Sequence, residues 1–209
     1  MHEKTLPKHS MAVLKALELT KSKELTGWIL AGGTGLALHL GHRISEDFDF
    51  FRTDAIDVRR LHNVFSGFGK YETLQEEEHT LTILALKTKI SFFRIKNPFI
   101  FETTPYRFFS IADIRDIALM KLVAISSRGS RKDFVDLFEI LRGGMSLQEC
   151  FAALSEKYIE GRHNSYHILK SMTYFEDAEK EPMPVMLKPF NWKECKAFFV
   201  REAHTVVLP

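Results

Sequence analysis

Asp47-Phe48-Asp49-Phe50 alternates carboxylate with aromatic ring, and an extended strand places residues i and i+2 on one face while the residues between them point to the other. The run predicts a strand over 47–51 with both carboxylates on one side and Phe48 and Phe50 packed into the other. Two like charges about 7 Å apart at Cα repel each other and need a counter-charge. Mg²⁺ supplies one, because it binds through one or two carboxylates and completes its shell with waters and substrate phosphates.

A short apolar strand, Trp28-Ile29-Leu30-Ala31, ends at Gly32-Gly33-Thr34. Glycines between a strand and a helix let phosphate oxygens approach the main-chain N–H groups of the helix start, and Thr34 can add a hydroxyl donor. The spacing matches neither the GxxxxGK[ST] nor the GxGxxG phosphate motif, which sets both aside. A glycine turn followed by a carboxylate pair is the outline of a nucleotidyl-transfer site. A metal held by Asp47 and Asp49 would polarise an α-phosphate and stabilise departing pyrophosphate.

The remainder of the chain bounds the fold. At 209 residues, 45% hydrophobic and with 18 Phe, it has material for the core of one or two small domains. Helical patterns over 11–24, 34–42 and 57–68 are interleaved with strand patterns over 71–76, 80–86 and 89–95. Pro98 and Pro105 punctuate a link, and from Ile111 onward the periodicity is helical. Those helices are expected over 114–127, 132–141, 146–158, 164–178 and 191–203, with Ser146 and Glu149 in a capping-box pattern. Pro182, Pro184 and Pro189 break the chain before the last of them. The expected fold class is α+β: a small mixed-sheet domain over residues 1–110, then a helical-bundle domain over 111–209.

A net charge of +2 gives no general polyanion-binding role. Residues 87–132, however, gather ten Lys or Arg against Glu102, Asp113 and Asp116, which suits a phosphate-rich substrate or simply solvated strand and helix faces. Cys150 and Cys195 have no paired motif, so they read as reduced thiols of a cytoplasmic protein. No apolar run reaches signal-peptide or membrane-span length.

The first motif block, Gly32-Gly33-Thr34 with Leu36 and Leu38, then Arg43, Ser45, Asp47, Asp49 and Phe50, resembles the AbiEii/AbiGii toxin family of the nucleotidyltransferase superfamily. A second block, Ile111-Ala112-Asp113-Ile114 leading to Lys121, Arg128, Arg131-Lys132-Asp133 and Asp136-Leu137, is similar to that family's helical lysine and Arg-x-Asp-x-x-Asp segment. The resemblance implies a nucleotidyltransferase sheet domain beside a helical domain, with the site in the cleft. It implies that Gly32, Gly33 and Thr34, with Arg43 and Ser45, hold a nucleoside triphosphate (NTP) and that Asp47 and Asp49 bind Mg²⁺. Lys121 would reach a phosphate, with Asp133 and Asp136 catalytic near the cleft. It further implies a toxin of a toxin–antitoxin or phage-defence system, with a cognate antitoxin and an acceptor hydroxyl on tRNA, other RNA or protein.

The residues themselves leave alternatives. Lys121 lies within the apolar run 117–123 and either snorkels to solvent or meets an anion. Asp133 and Asp136 share a helix face and could pair with Arg131 and Lys132. Many nucleotidyltransferases carry a third carboxylate on a neighbouring strand, but this chain has no Asp or Glu between Glu78 and Glu102, and Ser91 stands where that acid aligns. Three explanations follow: one metal with a substrate-borne or distant base, an acid from the helical half (Asp133 or Asp136), or nucleotide binding without fast chemistry. The last is the alternative function, a catalytically impaired nucleotide- or protein-binding module. His163 and His167 have a zinc-compatible i, i+4 spacing but no carboxylate or Cys at ligand spacing, and read as a solvated helix face. Phe108-Phe109 and Phe198-Phe199 read as core, with a partner-facing role as the other option.

Overall fold

The computed structural model describes residues 1–68, 70–158 and 164–208. After a single 3-10 turn, Glu3–Thr5, the chain forms α1 (Lys8–Thr20), a second 3-10 turn, Lys23–Leu25, β1 (Ile29–Ala31), α2 (Gly32–Leu40), β2 (Phe48–Arg52) and α3 (Val58–Ser66). Three strands follow: β3 (Tyr71–Glu77), β4 (Thr80–Ala85) and β5 (Thr88–Arg94). Two short ones, β6 (Thr104–Tyr106) and β7 (Phe109–Ile111), lead into the helices. These are α4 (Ile114–Arg128), α5 (Arg131–Arg142), α6 (Leu147–Lys157), α7 (Ser165–Ser171), α8 (Glu176–Lys180) and α9 (Trp192–Ala203).

The strands form one mixed sheet in the order β3-β4-β5-β2-β1-β7-β6. β2 runs parallel to β5 and β1 parallel to β7, while the other pairs are antiparallel. The fold is therefore α+β. One sheet face carries Phe48, Phe50, Ile90 and Phe92 and shares a core with Leu14 and Leu17 of α1 and Leu61 and Phe65 of α3. Phe92 organises that layer, meeting Trp28 at 4.8 Å, Phe50 at 5.4 Å and Phe65 at 5.9 Å between ring centroids. The opposite face, with Asp49, Phe51, Ser91 and Phe93, looks towards α4, and a second core joins Ala31 and Leu36 to α4, α5, α6 and α9. The alternation in β2 thus divides aromatic core from carboxylate face.

Local chemistry sets the element boundaries. Ser146 caps α6 in a full capping box with Glu149, and Gly41, at φ 64°, ends α2 in the left-handed conformation that glycine adopts without a Cβ penalty. Four expectations are corrected. Asp47 precedes β2 rather than opening it, and the glycine pair forms the first turn of α2 instead of a turn ahead of it. β6 and β7 are strands where a loop and a helix start were expected, because three residues are too few to display alternation. Pro105 fits β6 because that strand is an edge. The helix expected over 164–178 is two short ones, since the chain turns after Met172 to set Phe175 against Phe134, at 5.0 Å between rings.

Phe109 and Phe199 are buried, and Phe198 packs on Phe138 at 5.2 Å, in keeping with the core reading. His163 lies outside the described residues, and His167 sits exposed near the Ser126 carbonyl. Among the described residues no helix is long and apolar enough to cross a membrane.

Candidate active site in the cleft between sheet and helices

Gly32 follows β1 at φ 64°, and a Cβ at this position would lie 3.2 Å from Asp49 Oδ2. β1 and β2 are in register at Ala31 and Asp49. Positive φ and close approach both require glycine here, and together they set the amino-terminal turn of α2 against the Asp49 carboxylate. Gly33 is required for a different reason: a Cβ would collide with the Arg43 guanidinium and press on Ser45 Oγ at 3.3 Å. The α2 amino terminus has no side-chain cap, so its first N–H groups remain free for an anion.

Thr34 is buried and faces inward. Its hydroxyl donates to the Asp47 carbonyl and bonds the Ser45 hydroxyl at 2.8 Å. The expected phosphate-donating hydroxyl is thus spent on fixing the backbone that carries Asp47. Asp47 itself is half exposed, with Lys89 Nζ 3.5 Å from its Oδ2. Burial pushes the Asp49 carboxyl above the usual carboxylate range, and neighbouring Asp47 adds to that. Lys89 and a hydrogen bond from Ser91 pull the other way. Ser91 stands directly across from Asp49 in the parallel β2–β5 pairing.

Behind the carboxylates lies a buried ionic cluster. Asp136 has no exposure and accepts four hydrogen bonds or ion pairs. His42 Nε2 and Arg43 Nε reach its Oδ1 at 2.8 and 2.6 Å, while Arg43 Nη2 and Lys121 Nζ reach its Oδ2 at 2.8 and 2.6 Å. Asp133, equally buried, accepts from Lys121 Nζ at 2.8 Å and from Arg128 at 2.7 and 3.0 Å. Burial alone would raise both carboxyls. Lys121 and Arg43 instead hold Asp136 well below the usual range, and Lys121 and Arg128 hold Asp133 below it.

These contacts reassign three residues. With both oxygens saturated inside the protein, Asp136 gives up the catalytic role expected of it and becomes a positioning residue. Asp133 follows it, since its Oδ1 accepts from buried Lys121 and both oxygens accept from Arg128, whose side chain is exposed. Lys121 is neither snorkelled nor unpaired, because its anions are these two aspartates. Arg131 and Lys132, expected as partners, are not: Arg131 turns away to the carbonyls of Ala178 and Glu179.

Two cavities flank Asp49 and share Lys89, Lys121, Arg128 and Asp133. The first, about 520 Å³, lies on the glycine side against Gly33, Ser45, Asp47, Ser130 and Lys132. Its outer wall is the segment 181–185, whose prolines had signalled only a break in the chain. That segment pairs back along the loop before β2: Ile44 N–H donates to the Val185 carbonyl and Leu187 N–H to the His42 carbonyl, each at 2.8 Å. Glu181 anchors it by accepting from Ser130 Oγ and the Arg131 N–H, at 2.8 and 2.9 Å. The second cavity, about 550 Å³, extends over β5, β4 and β3 beneath α4. Lys89 and Arg128 stood in the basic stretch of the sequence without a role, and the spacing of Met183, Val185 and Leu187 between prolines was the one signal for an extended wall.

Among the described residues no three acidic, His or Cys side chains gather around one point as a metal centre. Asp47 and Asp49 are a two-carboxylate donor set, which fits Mg²⁺ that takes its other ligands from water and substrate phosphate.

A model of the family described as nucleotidyl transferase AbiEii toxin, type IV toxin–antitoxin system, matches residues 13–206. The chain belongs to the AbiEii nucleotidyltransferase toxin family. An uncharacterized protein of Aquifex aeolicus (strain VF5) is 36% identical over 179 residues, covering 83% of this chain and 84% of that protein. Among solved structures, JHP933 from Helicobacter pylori superposes with a TM-score of 0.55 at 16% identity, covering 96% of this chain and 92% of that one. The nucleotidyltransferase toxin MenT4 from Mycobacterium tuberculosis gives 0.55 at 14% identity, covering 94% and 84%. At such identities the structural likeness speaks for the fold.

Three outcomes are expected of this site. Asp136→Asn leaves Arg43 and Lys121 buried without their full counter-charge and lowers unfolding free energy by about 3 kcal/mol or more, read from denaturant midpoints. Because Asp136 and Asp133 titrate below the unfolded value of about 3.9, their stabilisation is complete above about pH 5 and is lost as pH falls through and below about 4. The variant's acid limb is correspondingly flatter. Asp49 has the opposite sign: its folded value is raised, so its ionised form costs stability at neutral pH. Asp49→Asn should melt a few degrees above the native protein in chelator at pH 7, the gap closing as pH falls towards about 4. Gly33→Ala overpacks against Arg43 and costs about 1–3 kcal/mol, whereas Gly67→Ala, where nothing lies within 4 Å of a Cβ, is the near-neutral comparison.

Proposed function

We propose that the protein is a Mg²⁺-dependent nucleotidyltransferase that moves a nucleotidyl group from an NTP to a hydroxyl of an RNA, tRNA being a candidate. It acts in the cytoplasm as the toxin of a toxin–antitoxin pair held in check by a cognate antitoxin. The observation that carries the reading is the placement of Gly32 over Asp49: it sets an uncapped helix amino terminus and two carboxylates at one point of a cleft that also holds Lys89, Arg128 and Lys132.

Triphosphate fits the first cavity. The α2 amide at Gly33 would face its phosphates, with Lys89, Arg128 and Lys132 on the surrounding walls, while Gly32 lines the neighbouring cavity. Ser45 lines the same cavity. Arg43 is bound to Asp136 and acts by holding the loop that carries Ser45 and Asp47. Asp47 and Asp49 would hold Mg²⁺, which supplies charge neutralisation and polarisation of the α-phosphate when bound.

The transfer is an in-line displacement. The acceptor oxygen bonds to the α-phosphorus, the bond from that phosphorus to the bridging oxygen of the β-phosphate breaks, and pyrophosphate leaves with the electron pair. The acceptor proton passes to a phosphate oxygen of the substrate and then to solvent. A substrate-borne base follows from two features: Ser91 takes the place of a third carboxylate, and a hydroxyl is far too weakly acidic to serve as one. Asp133 and Asp136 are spent on Lys121, Arg128, Arg43 and His42.

Incubation with each α-labelled triphosphate, Mg²⁺ and total RNA should label an RNA species, and Asp49→Asn should reduce labelling about a hundredfold or more, the loss expected when a metal ligand is removed. Label in protein instead of RNA would replace the acceptor. Triphosphate binding by calorimetry without label in any acceptor would establish the impaired binding module, and equal labelling by Asp49→Asn would sink the site.

A further inference from the structure

On the sheet face away from the cleft, α1, the residues that follow α3 and the β4–β5 turn enclose a groove of about 460 Å³, lined by Ala16, Leu19, Thr20, Gly67, Phe68 and Leu86. It has no part in the candidate active site, because α1 and α3 pack on the Phe48 and Phe92 face, opposite Asp49. Leu19 is 79% exposed and Leu86 44%, and nothing lies within 4 Å of a Cβ at Gly67. Among the described residues, then, no element covers the groove. A single exposed leucine needs no explanation, but two that meet a partly buried Phe68 in one groove mark a docking surface.

The backbone around this groove is strained. Among the described residues four non-glycine positions take a φ in the left-handed region, and three of them, Lys21 at 50°, Leu86 at 49° and Lys87 at 66°, lie in or directly beside its lining. Leu86 and Lys87 are the whole turn between β4 and β5. A two-residue hairpin turn with both φ positive selects Asn-Gly, because a Cβ is crowded there. A leucine at the first of these positions lowers stability and also projects an apolar side chain into solvent. Folding gains from neither, which is the pattern of strain kept for a contact.

Charge identifies the occupant. Lys15, Lys21, Lys70 and Lys87 are all exposed, and each stands one or two residues from a lining residue. The acid of α1, Glu18, is drawn off by Arg107 at 2.7 Å, and Glu72, paired with Leu84, is on the cleft face of the sheet. An apolar floor with a lysine rim matches an amphipathic helix whose apolar stripe is flanked by Glu or Asp. A nucleic acid would meet the lysines but press its phosphates on Leu19 and Leu86, and a bilayer surface would leave a concave floor unfilled. We infer that this groove docks an acidic amphipathic helix of a protein partner. Lys87 stands two residues before Lys89, the cation beside Asp47, so the partner grips the strand end that carries a cleft residue.

The test uses the full chain and a fluorescein-labelled synthetic helix of about 16 residues, with leucines at i, i+4, i+7 and i+11 and glutamates flanking them. The control is the same peptide with lysine for every glutamate. Two variants accompany the native chain, Leu19→Ser and the turn variant Leu86→Asn, Lys87→Gly, and none of these residues has a part in the proposed transfer. By anisotropy the native chain should bind the acidic helix about tenfold or more tightly than the lysine form. Each variant should bind it about tenfold more weakly than the native chain does, the scale of one leucine's burial. The turn variant should also melt about 3–6 °C higher, which separates its lost binding from misfolding. Equal affinity for the two peptides, binding unchanged in both variants, or no binding by the native chain would overturn the inference. Affinity for vesicles of phosphatidylcholine and phosphatidylserine, or for an RNA hexamer, that falls in the same variants while the acidic helix fails to bind would also overturn it, making the surface a lipid or nucleic-acid contact. None of these readouts needs nucleotidyl transfer, so the groove and the proposed activity stand or fall separately.

Discussion

A carboxylate with no exposure at all, Asp136, joins the two layers of this protein. Its four contacts come from His42 and Arg43 in the loop before β2 and from Lys121 in α4, so one side chain on α5 fixes the carboxylate edge of the sheet to the helices. Burying such a cluster gains little over a well-packed apolar one, and breaking it costs about 3–5 kcal/mol because the surviving charges are stranded. What the cluster supplies is position. Arg43, clamped through two nitrogens, occupies the space that only glycine at position 33 leaves free. The same loop carries Ser45 and Asp47, whose backbone Thr34 then pins. The uncapped helix start, the carboxylate pair and the cavity between them depend on this one arrangement.

The parts of the fold and site that were legible in the sequence are those written in local periodicity. Alternation in β2 separated Phe48 and Phe50 from Asp49, the capping box marked the start of α6, and the three central strands fell within a residue or two of their bounds. Ser91 was noted as standing where a third carboxylate aligns, and the strand register sets it directly across from Asp49. Asp136 was noticed, but not the partners that surround it. Its partners His42 and Arg43 are 94 and 93 residues away in the chain, and no local pattern encodes a pairing at that range. The alternation of prolines over 181–185 hinted at an extended segment, but its place as a wall was hidden for the same reason, since its backbone bonds go to the loop before β2. Thr34 shows a subtler limit: residue type announces a hydroxyl, but only the fold shows that it bonds inward.

Stability and function pull apart within a few ångströms. Asp133 and Asp136 are buried carboxylates satisfied by cations, so their charges favour the folded state at neutral pH. Asp49 is a carboxylate pressed against Gly32 and Asp47, and Lys89, Ser91 and Lys121 offset only part of the cost of burial, so its charge opposes folding. A group held in an unfavourable charge state at a cleft is a candidate functional site, and the contrast with its neighbours sharpens that reading: Asp133 and Asp136 are satisfied by cations from both layers, while Asp49 leaves a deficit that a cation could fill.

Ser91 ties these threads together. A carboxylate at that position would add a third negative charge beside Asp49 and Asp47, raising the cost of the empty site further, and it would place an anion at the mouth of the second cavity. A hydroxyl instead continues outward as the neutral row Ser91, Thr82 and Gln75. A hydroxyl there lowers the negative charge that a phosphate-bearing ligand meets at this edge of the cleft. Under the proposed transfer it also leaves proton removal to the substrate. The rate of such a transfer would be governed by how well the cleft holds the attacking hydroxyl in line with the leaving pyrophosphate.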